Sequence, residues 1–328
     1  MSIRKIWMAL AAVALVLVII SFVKSSSTTT STSKSTSQAT SKSGITSAVS
    51  LPKDLTFVNE RVPLEHFDVH ESLDREIHVN TYFQSQTIFY IKRSARFFPT
   101  IERILKENNV PDDFKYLAVA ESGLANVVSP SDAAGFWQFL KGTAIELGLE
   151  VNDQVDERFN LDKSTFAACK YLKKLHDQYG SWTMAAAAYN SGPNGLMKNV
   201  ERQKENNYYN LYLNEETARY VFRILAIKLI IETPSDYGFD IKKSELYRPF
   251  TYNEVTVDST ITSIADFAAL YQTNYKILKI LNPWLRDNTL TNKTKKTYTL
   301  KIPTKNMRNL LYDENDSTQN NQASNEKN

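Results

Sequence analysis

The chain has a single cysteine, Cys169, among 328 residues, so no intramolecular disulfide can staple the fold. Its neighbours Phe166, Leu172 and Leu175 read as one side of a helix, and the thiol as a small buried hydrophobe. No cysteine lies near the amino end, which excludes lipid attachment at an N-terminal cysteine. An excess of one charge is also missing. The net formal charge is +3, too small to argue for nucleic acid on electrostatic grounds. Histidine is sparse, and although His66 and His70 have i, i+4 spacing with His78 nearby, no Cys or Glu-x-x-His pattern accompanies them. They read as surface or capping residues, and neither metal nor cofactor is expected.

What is present begins with Arg4 and Lys5, followed by an apolar run at residues 6–23 closed by Lys24. That run is long enough to cross a bilayer. It is too long for a typical signal-peptide core, and no small-x-small cleavage site stands clearly at its end. Residues 1–24 are therefore expected to form an uncleaved anchor, with a cleaved signal peptide as the alternative. The leading positive charges keep the amino end in the cytoplasm and put the rest outside. Residues 25–50, almost wholly Ser, Thr, Lys and Ala, form a linker that cannot bury enough surface to fold. The tail at 313–328, rich in Asn, Ser, Gln and Glu, is expected to be disordered.

The stretch around which the rest is organised ends at Glu121. Pro111 opens a predicted helix, Asp112 and Asp113 sit in its first turn, and Gly123 stops it. Phe114, Leu117 and Ala118 lie at i, i+3 and i+4, and Glu121 is the next member of that apolar series, at i+7. Burial and the negative helix end both favour a protonated carboxyl there. Such a group suits general-acid cleavage of a glycosidic bond. A buried glutamate paired with Arg or Lys is the other reading, and this segment alone leaves both open.

Around it the chain reads as mainly α. A helical domain is expected over residues 64–241. Leu73, Ile77, Ile88, Ile91, Phe97, Ile101, Ile104 and Leu105 outline its first two or three amphipathic helices, with a break at Phe98 and Pro99. A loop rich in Ser, Pro and Asp follows Glu121 and leads to Gln138, an amide among aromatics that is costly unless paired or presented to a ligand. A strong helix spans 161–179, with Gly180 closing it and Ser181 capping the next. That next helix carries four consecutive alanines, which permit close approach of neighbours, and ends in Tyr189 and Asn190. A further long helix is predicted over 211–231, with Glu215, Glu216, Arg219 and Tyr220 early in it. A small unit over 250–304 reads strand, helix, helix, strand.

Glu121-Ser122, Gly135 to Gln138, Thr143-Ala144, Ala188 to Gly192 and Glu216 to Val221, taken in order, resemble the lytic murein transglycosylases. The pattern is closest to the membrane-bound type D group, with its lysozyme-like SLT domain of glycoside hydrolase family 23 type. The resemblance implies a lysozyme-like helical fold with Glu121 as the one catalytic carboxylate. It further implies that Ser122, Gln138, Tyr189 and Asn190 line a sugar groove, with Tyr220 near the acid. The small unit resembles a LysM module through Ile264-Ala265, Leu278, Asn282-Pro283 and the run from Leu300 to Pro303. Its usual first-loop Gly-Asp-Thr is replaced by Val257 to Thr260. The resemblance implies peptidoglycan glycan strands as substrate and a location on the periplasmic side of the inner membrane.

By that resemblance Glu121 protonates the oxygen between N-acetylmuramic acid and N-acetylglucosamine. It then acts as base toward the muramic 6-hydroxyl, closing a 1,6-anhydro ring. The rival readings are a hydrolytic muramidase with Asp132 as second carboxylate, and a non-catalytic wall-binding scaffold. The 250–304 unit is read as a tethered binder that is dispensable for chemistry.

Overall fold

A computed structural model describes residues 48–309. The apolar run at 6–23, nearly all of the Ser/Thr-rich segment and the 313–328 tail lie outside the described residues. None of the described helices is long and apolar enough to cross a membrane.

The chain enters through a two-stranded hairpin, β1 (Thr56–Phe57) and β2 (Glu60–Arg61), upstream of the expected start of patterning at Leu64. Glu60 on this hairpin accepts hydrogen bonds from Ser181 Oγ and the amides of Trp182 and Thr183, so it fastens the hairpin to the start of a later helix. Helices α1 (Phe67–Tyr82) and α2 (Gln84–Glu107) follow. The expected break at Pro99 does not occur, and α2 runs through it. Proline inside a helix loses one hydrogen bond and costs about 3 kcal/mol. Here Ile91, Phe98, Ile101, Ile104 and Leu105 bury an unbroken face on both sides of it.

Helix α3 (Phe114–Ser122) starts three residues later than predicted. Pro111, Asp112 and Asp113 form a preceding turn whose carbonyls accept from the amides of Phe114, Lys115 and Tyr116. The two aspartates serve as ion-pair partners instead, Asp112 to Lys115 and Asp113 to Lys228. Gly123 ends the helix as expected, in a left-handed conformation at φ 59°. A Cβ there would lie 2.6 Å from the Tyr90 ring, so both conformation and space require glycine.

Helices α4 (Lys141–Glu146), α5 (Leu161–Tyr179) and α6 (Trp182–Ser191) come next. The predicted limits of α5, its glycine stop and the Ser181 cap all agree with the structure. Phe166 does not share the buried side of α5; it is 39% exposed, whereas Cys169, Leu172 and Leu175 are buried. The alanines 185–188 of α6 are wholly buried, at the centre of the core. Pro193 opens α7 (Pro193–Gln203), a helix not among those expected from the sequence. Helix α8 (Glu215–Glu232) begins four residues after the predicted start, because Asn214 caps it through the amide of Thr217. Helices α1, α3 and α6 all pack against α8.

The carboxy-terminal unit has the expected order: β3 (Tyr252–Val257), α9 (Ile264–Leu270), α10 (Tyr275–Leu281) and β4 (Tyr298–Pro303), with β3 and β4 antiparallel. Asn282 closes it, donating to the carbonyls of Leu278 and Lys301 and accepting from the amide of Lys301. The unit is not a free tether. Ala134, Val155 and Phe159 of the helical domain belong to its apolar core. Val155 bridges Leu285, the amide of Asp156 donates to Trp284 at 2.9 Å, and that of Arg286 to Gln154 at 2.8 Å. Lys301–Asp162 and Lys296–Glu150 add ion pairs across the seam.

Candidate active site

Glu121 sits in the last turn of α3, where the packing of α3 on α8 brings Tyr220 to it. The Tyr220 hydroxyl donates to Glu121 Oε1. Among the described residues no Lys, Arg or His forms an ion pair with Glu121, so the buried-pair reading of the sequence does not hold. Burial is the main influence and pushes the carboxyl up to about 7, with Glu216 adding to it. The Tyr220 hydrogen bond and the Arg223 charge pull the other way. Arg223 is itself engaged by Glu216 at 2.9 Å, which holds the cation back from the acid. Burial, then the nearby Glu121, raises the Tyr220 phenol well above its ordinary range, so it remains a donor.

The segment from Leu124 to Phe139 folds back over α3 as a tightly lapped loop. Ala134 bridges both Val128 and Phe139, and the amide of Gly135 donates to Val127 at 3.0 Å. Trp137 is fully buried and anchors the loop through Nε1 to Thr165 Oγ1 at 2.9 Å. Ser122 Oγ bonds the carbonyls of Ala118 and Phe136, at 3.1 and 2.9 Å, and ties α3 to this loop. Tyr189 donates to the Trp137 carbonyl at 2.7 Å, tying the loop to α6. Gln138 stands between these ties at a left-handed φ of 47°. Its Nε2 donates to the carbonyls of Gly135 and Val127 at 2.8 and 3.1 Å. Asn190 accepts from Thr217 Oγ1 at 3.1 Å, joining α6 to α8.

The structure thus brings Glu121, Ser122, Gln138, Tyr189, Asn190 and Tyr220 into one hydrogen-bonded set linking α3, the loop, α6 and α8. Within that set the Ser122 hydroxyl and the Gln138 amide nitrogen are committed to the protein. Gln138 Oε1 and Asn190 Nδ2 make no hydrogen bond among the described residues. Asp132 stands apart, with its side chain 72% exposed and its carboxylate 4.0 Å from Arg158.

Arg158 was not singled out from sequence. Its guanidinium, 6% exposed, pairs with Asp156 and donates to the carbonyls of Asp132 and Phe139 at 2.7 and 3.1 Å, clamping both ends of the turn that presents Gln138. Gly135 allows the approach: a Cβ there would fall 1.9 Å from the Arg158 carbonyl oxygen. The one sequence signal was a polar triplet, Asp156-Glu157-Arg158, in a stretch that turned out buried. Glu76 was also missed, although it continues the apolar spacing of Leu73 and Ile77 in the way Glu121 continues that of Phe114 and Leu117.

Comparison with known proteins identifies two domains in the chain. Residues 98–212 match the transglycosylase SLT domain, and residues 253–306 match the soluble lytic transglycosylase C-terminal LysM-like domain. Membrane-bound lytic murein transglycosylase D of Escherichia coli strain K12 is 29% identical over 192 residues, covering 57% of this chain and 42% of that protein. The protein of the same name from E. coli O6:H1 gives the same figures. A putative tributyltin chloride resistance protein of Alteromonas sp. strain M-1 is 28% identical over 117 residues, 34% of this chain and 56% of that protein. The chain therefore spans less than half the length of the E. coli relatives. It carries a mainly helical transglycosylase SLT domain joined to a βααβ LysM-like domain.

Proposed function

We propose that the chain is a lytic transglycosylase that cuts peptidoglycan between N-acetylmuramic acid and N-acetylglucosamine without water, leaving 1,6-anhydro-muramic ends. The observation that carries this reading is a desolvated glutamate with no cation paired to it among the described residues, its carboxyl pushed up to about 7 and hydrogen-bonded by a phenol. A carboxyl poised there can give a proton to the bridging oxygen and afterwards take one from the muramic 6-hydroxyl. Attack by that tethered hydroxyl exploits the high effective molarity of an intramolecular nucleophile. Gln138 Oε1 and Asn190 Nδ2 are the polar groups left to orient the sugars, with the Tyr189 hydroxyl held by the Trp137 carbonyl. Ser122 acts on substrate only through the position of the loop.

The matches to SLT and LysM-like domains and the name of the E. coli relatives support murein as substrate and the cell envelope as location. Residues 1–24 are assigned as an inner-membrane anchor, with the described domains on the periplasmic side. Mass spectrometry of products from purified murein tests the reaction. Anhydro-muramic ends are the expected result. Reducing ends would convert the enzyme to a hydrolase, with Asp132 as the first carboxylate to mutate, and intact murein would make it a binding scaffold.

A further inference from the structure

Between α2, the start of the Gln138 loop and the LysM-like domain lies a cavity of about 760 Å³. It begins directly after the catalytic helix, because Leu124, Ala125 and Asn126 line it and Arg93 at its edge donates to the Gly123 carbonyl at 3.0 Å. Its charge is one-sided. Arg93, Arg96, Lys276, Lys279 and Lys301 face it, and among the described residues no Asp or Glu does. Of these five cations only Lys301 forms an ion pair among the described residues, with Asp162. Arg96 is stacked on Phe250 at 4.3 Å and Tyr247 at 5.0 Å and donates to the Arg248 carbonyl. Lys279 donates to the carbonyls of Leu285 and Asp287 and lies 5.6 Å from the centre of the Tyr275 ring. Burial lowers the pKa of both Arg96 and Lys279, a cost that an incoming anion would offset. Phe97, Phe136, Phe159 and Trp284 supply apolar walls.

An uncharged N-acetyl sugar has no use for five cations. A single phosphate would be met by converging donors, whereas here the charges are spread over α2, α10 and β4. That spread suits a short peptide bearing several carboxylates separated by apolar groups, and the volume lies in the range of small-ligand sites. We propose that this inter-domain cavity binds the carboxylate-bearing peptide stem of the murein strand whose glycan lies at Glu121. The inference rests on murein being the substrate. It gives the LysM-like domain a reading role at the peptide, through Lys276, Lys279 and Lys301, with the helical domain supplying Arg93 and Arg96.

The test uses the full chain carrying Glu121→Gln, so that ligands survive, and compares a disaccharide–tetrapeptide with a peptide-free glycan by calorimetric titration. Lys276→Glu is the informative variant, because Lys276 is exposed and forms no hydrogen bond or ion pair among the described residues. It is expected to weaken the disaccharide–tetrapeptide about fivefold and leave the peptide-free glycan unchanged. Equal affinity for the two ligands, or an unchanged affinity in Lys276→Glu, overturns the proposal. So does peptide binding that emerges only when residues 310–328 are removed, which would assign the cavity to the chain's own acidic tail. A wild-type chain that binds the tetrapeptide form in this way yet cleaves nothing would strike the activity and leave the site standing.

Discussion

Glu76 on α1 and Glu121 on α3 both stand on apolar helix faces, and both helices pack on α8. Glu76, 1% exposed, receives Arg219 at 2.6 Å and Arg223 at 3.8 Å. Glu121 receives Tyr220. Adjacent positions on a helix point about 100° apart, so the dipeptide Arg219-Tyr220 delivers a cation to one acid and a phenol to the other. The first glutamate sits in an ion pair; the second, on the function proposed above, supplies a proton. Both lie on apolar faces; what differs is the partner that α8 turns toward each.

Substitution of each acid by its amide separates the two roles. Glu121→Gln should remove murein cleavage, a loss of about 10² to 10⁴-fold, while Glu76→Gln keeps turnover within a few fold. Release of soluble muropeptides checks both, and a Glu121→Gln chain with near-parental activity would end the assignment. Stability should then move in opposite directions. Glu121 holds its proton more tightly in the folded chain, at about 7 against 4.5 for an ordinary glutamate. Its contribution is therefore fully present below pH 4.5 and is lost as pH rises through 7. Glu121→Gln should be more stable than wild type at pH 8, by up to about 3 kcal/mol, with the gap closing toward pH 4. Urea unfolding at the two pH values measures it.

Glu76→Gln should destabilise by roughly 2 kcal/mol, less than for a fully buried pair, because Arg219 retains some exposure and Glu215 as a second partner. Its urea midpoint should fall at pH 8. Tyr220→Phe gives the smallest effect. Loss of the donor raises the Glu121 pKa further, so the alkaline limb of kcat/KM should move up by up to about one pH unit. A limb that moves down would remove Tyr220 as the group stabilising the carboxylate.

Much of this was legible in the sequence where local signals were complete. Helix α5 has its limits and glycine stop in its own residues, and α9, α10 and β4 show their periods within a few residues each. Glu121 was visible because one polar residue interrupted a regular apolar spacing. Glu76 gave the same signal and went unread, because its meaning depends on Arg219, distant in sequence. Pro99 misled because local propensity predicts a break, and only packing on both sides overrides it. The hairpin at β1 and β2 is too short to show a period. Arg158 and the seam to Trp284 rest on main-chain carbonyls, which every residue possesses and no sequence pattern marks. For the same reason the LysM-like unit read as a tether although its core is shared.

That seam has a consequence in time. The segment beside the Arg158 clamp is closed by residues near the far end of the chain; Gln154 and Thr289, which bond at 2.9 Å, are 135 positions apart. A chain emerging amino end first, at about 5–20 residues per second, exposes Glu121 on the order of ten seconds before the last of its fastenings exists. During that interval the helix carrying the acid can form, while the stretch leading into Arg158 still lacks its backbone partners. A chain stopped before residue 284 would stay in that condition and would leave Val155 and Phe159 without their cover. Completing the loop beside the acid thus waits on receipt of the chain's end, and shortened versions are expected to emerge sticky and poorly assembled rather than as a trimmed working enzyme.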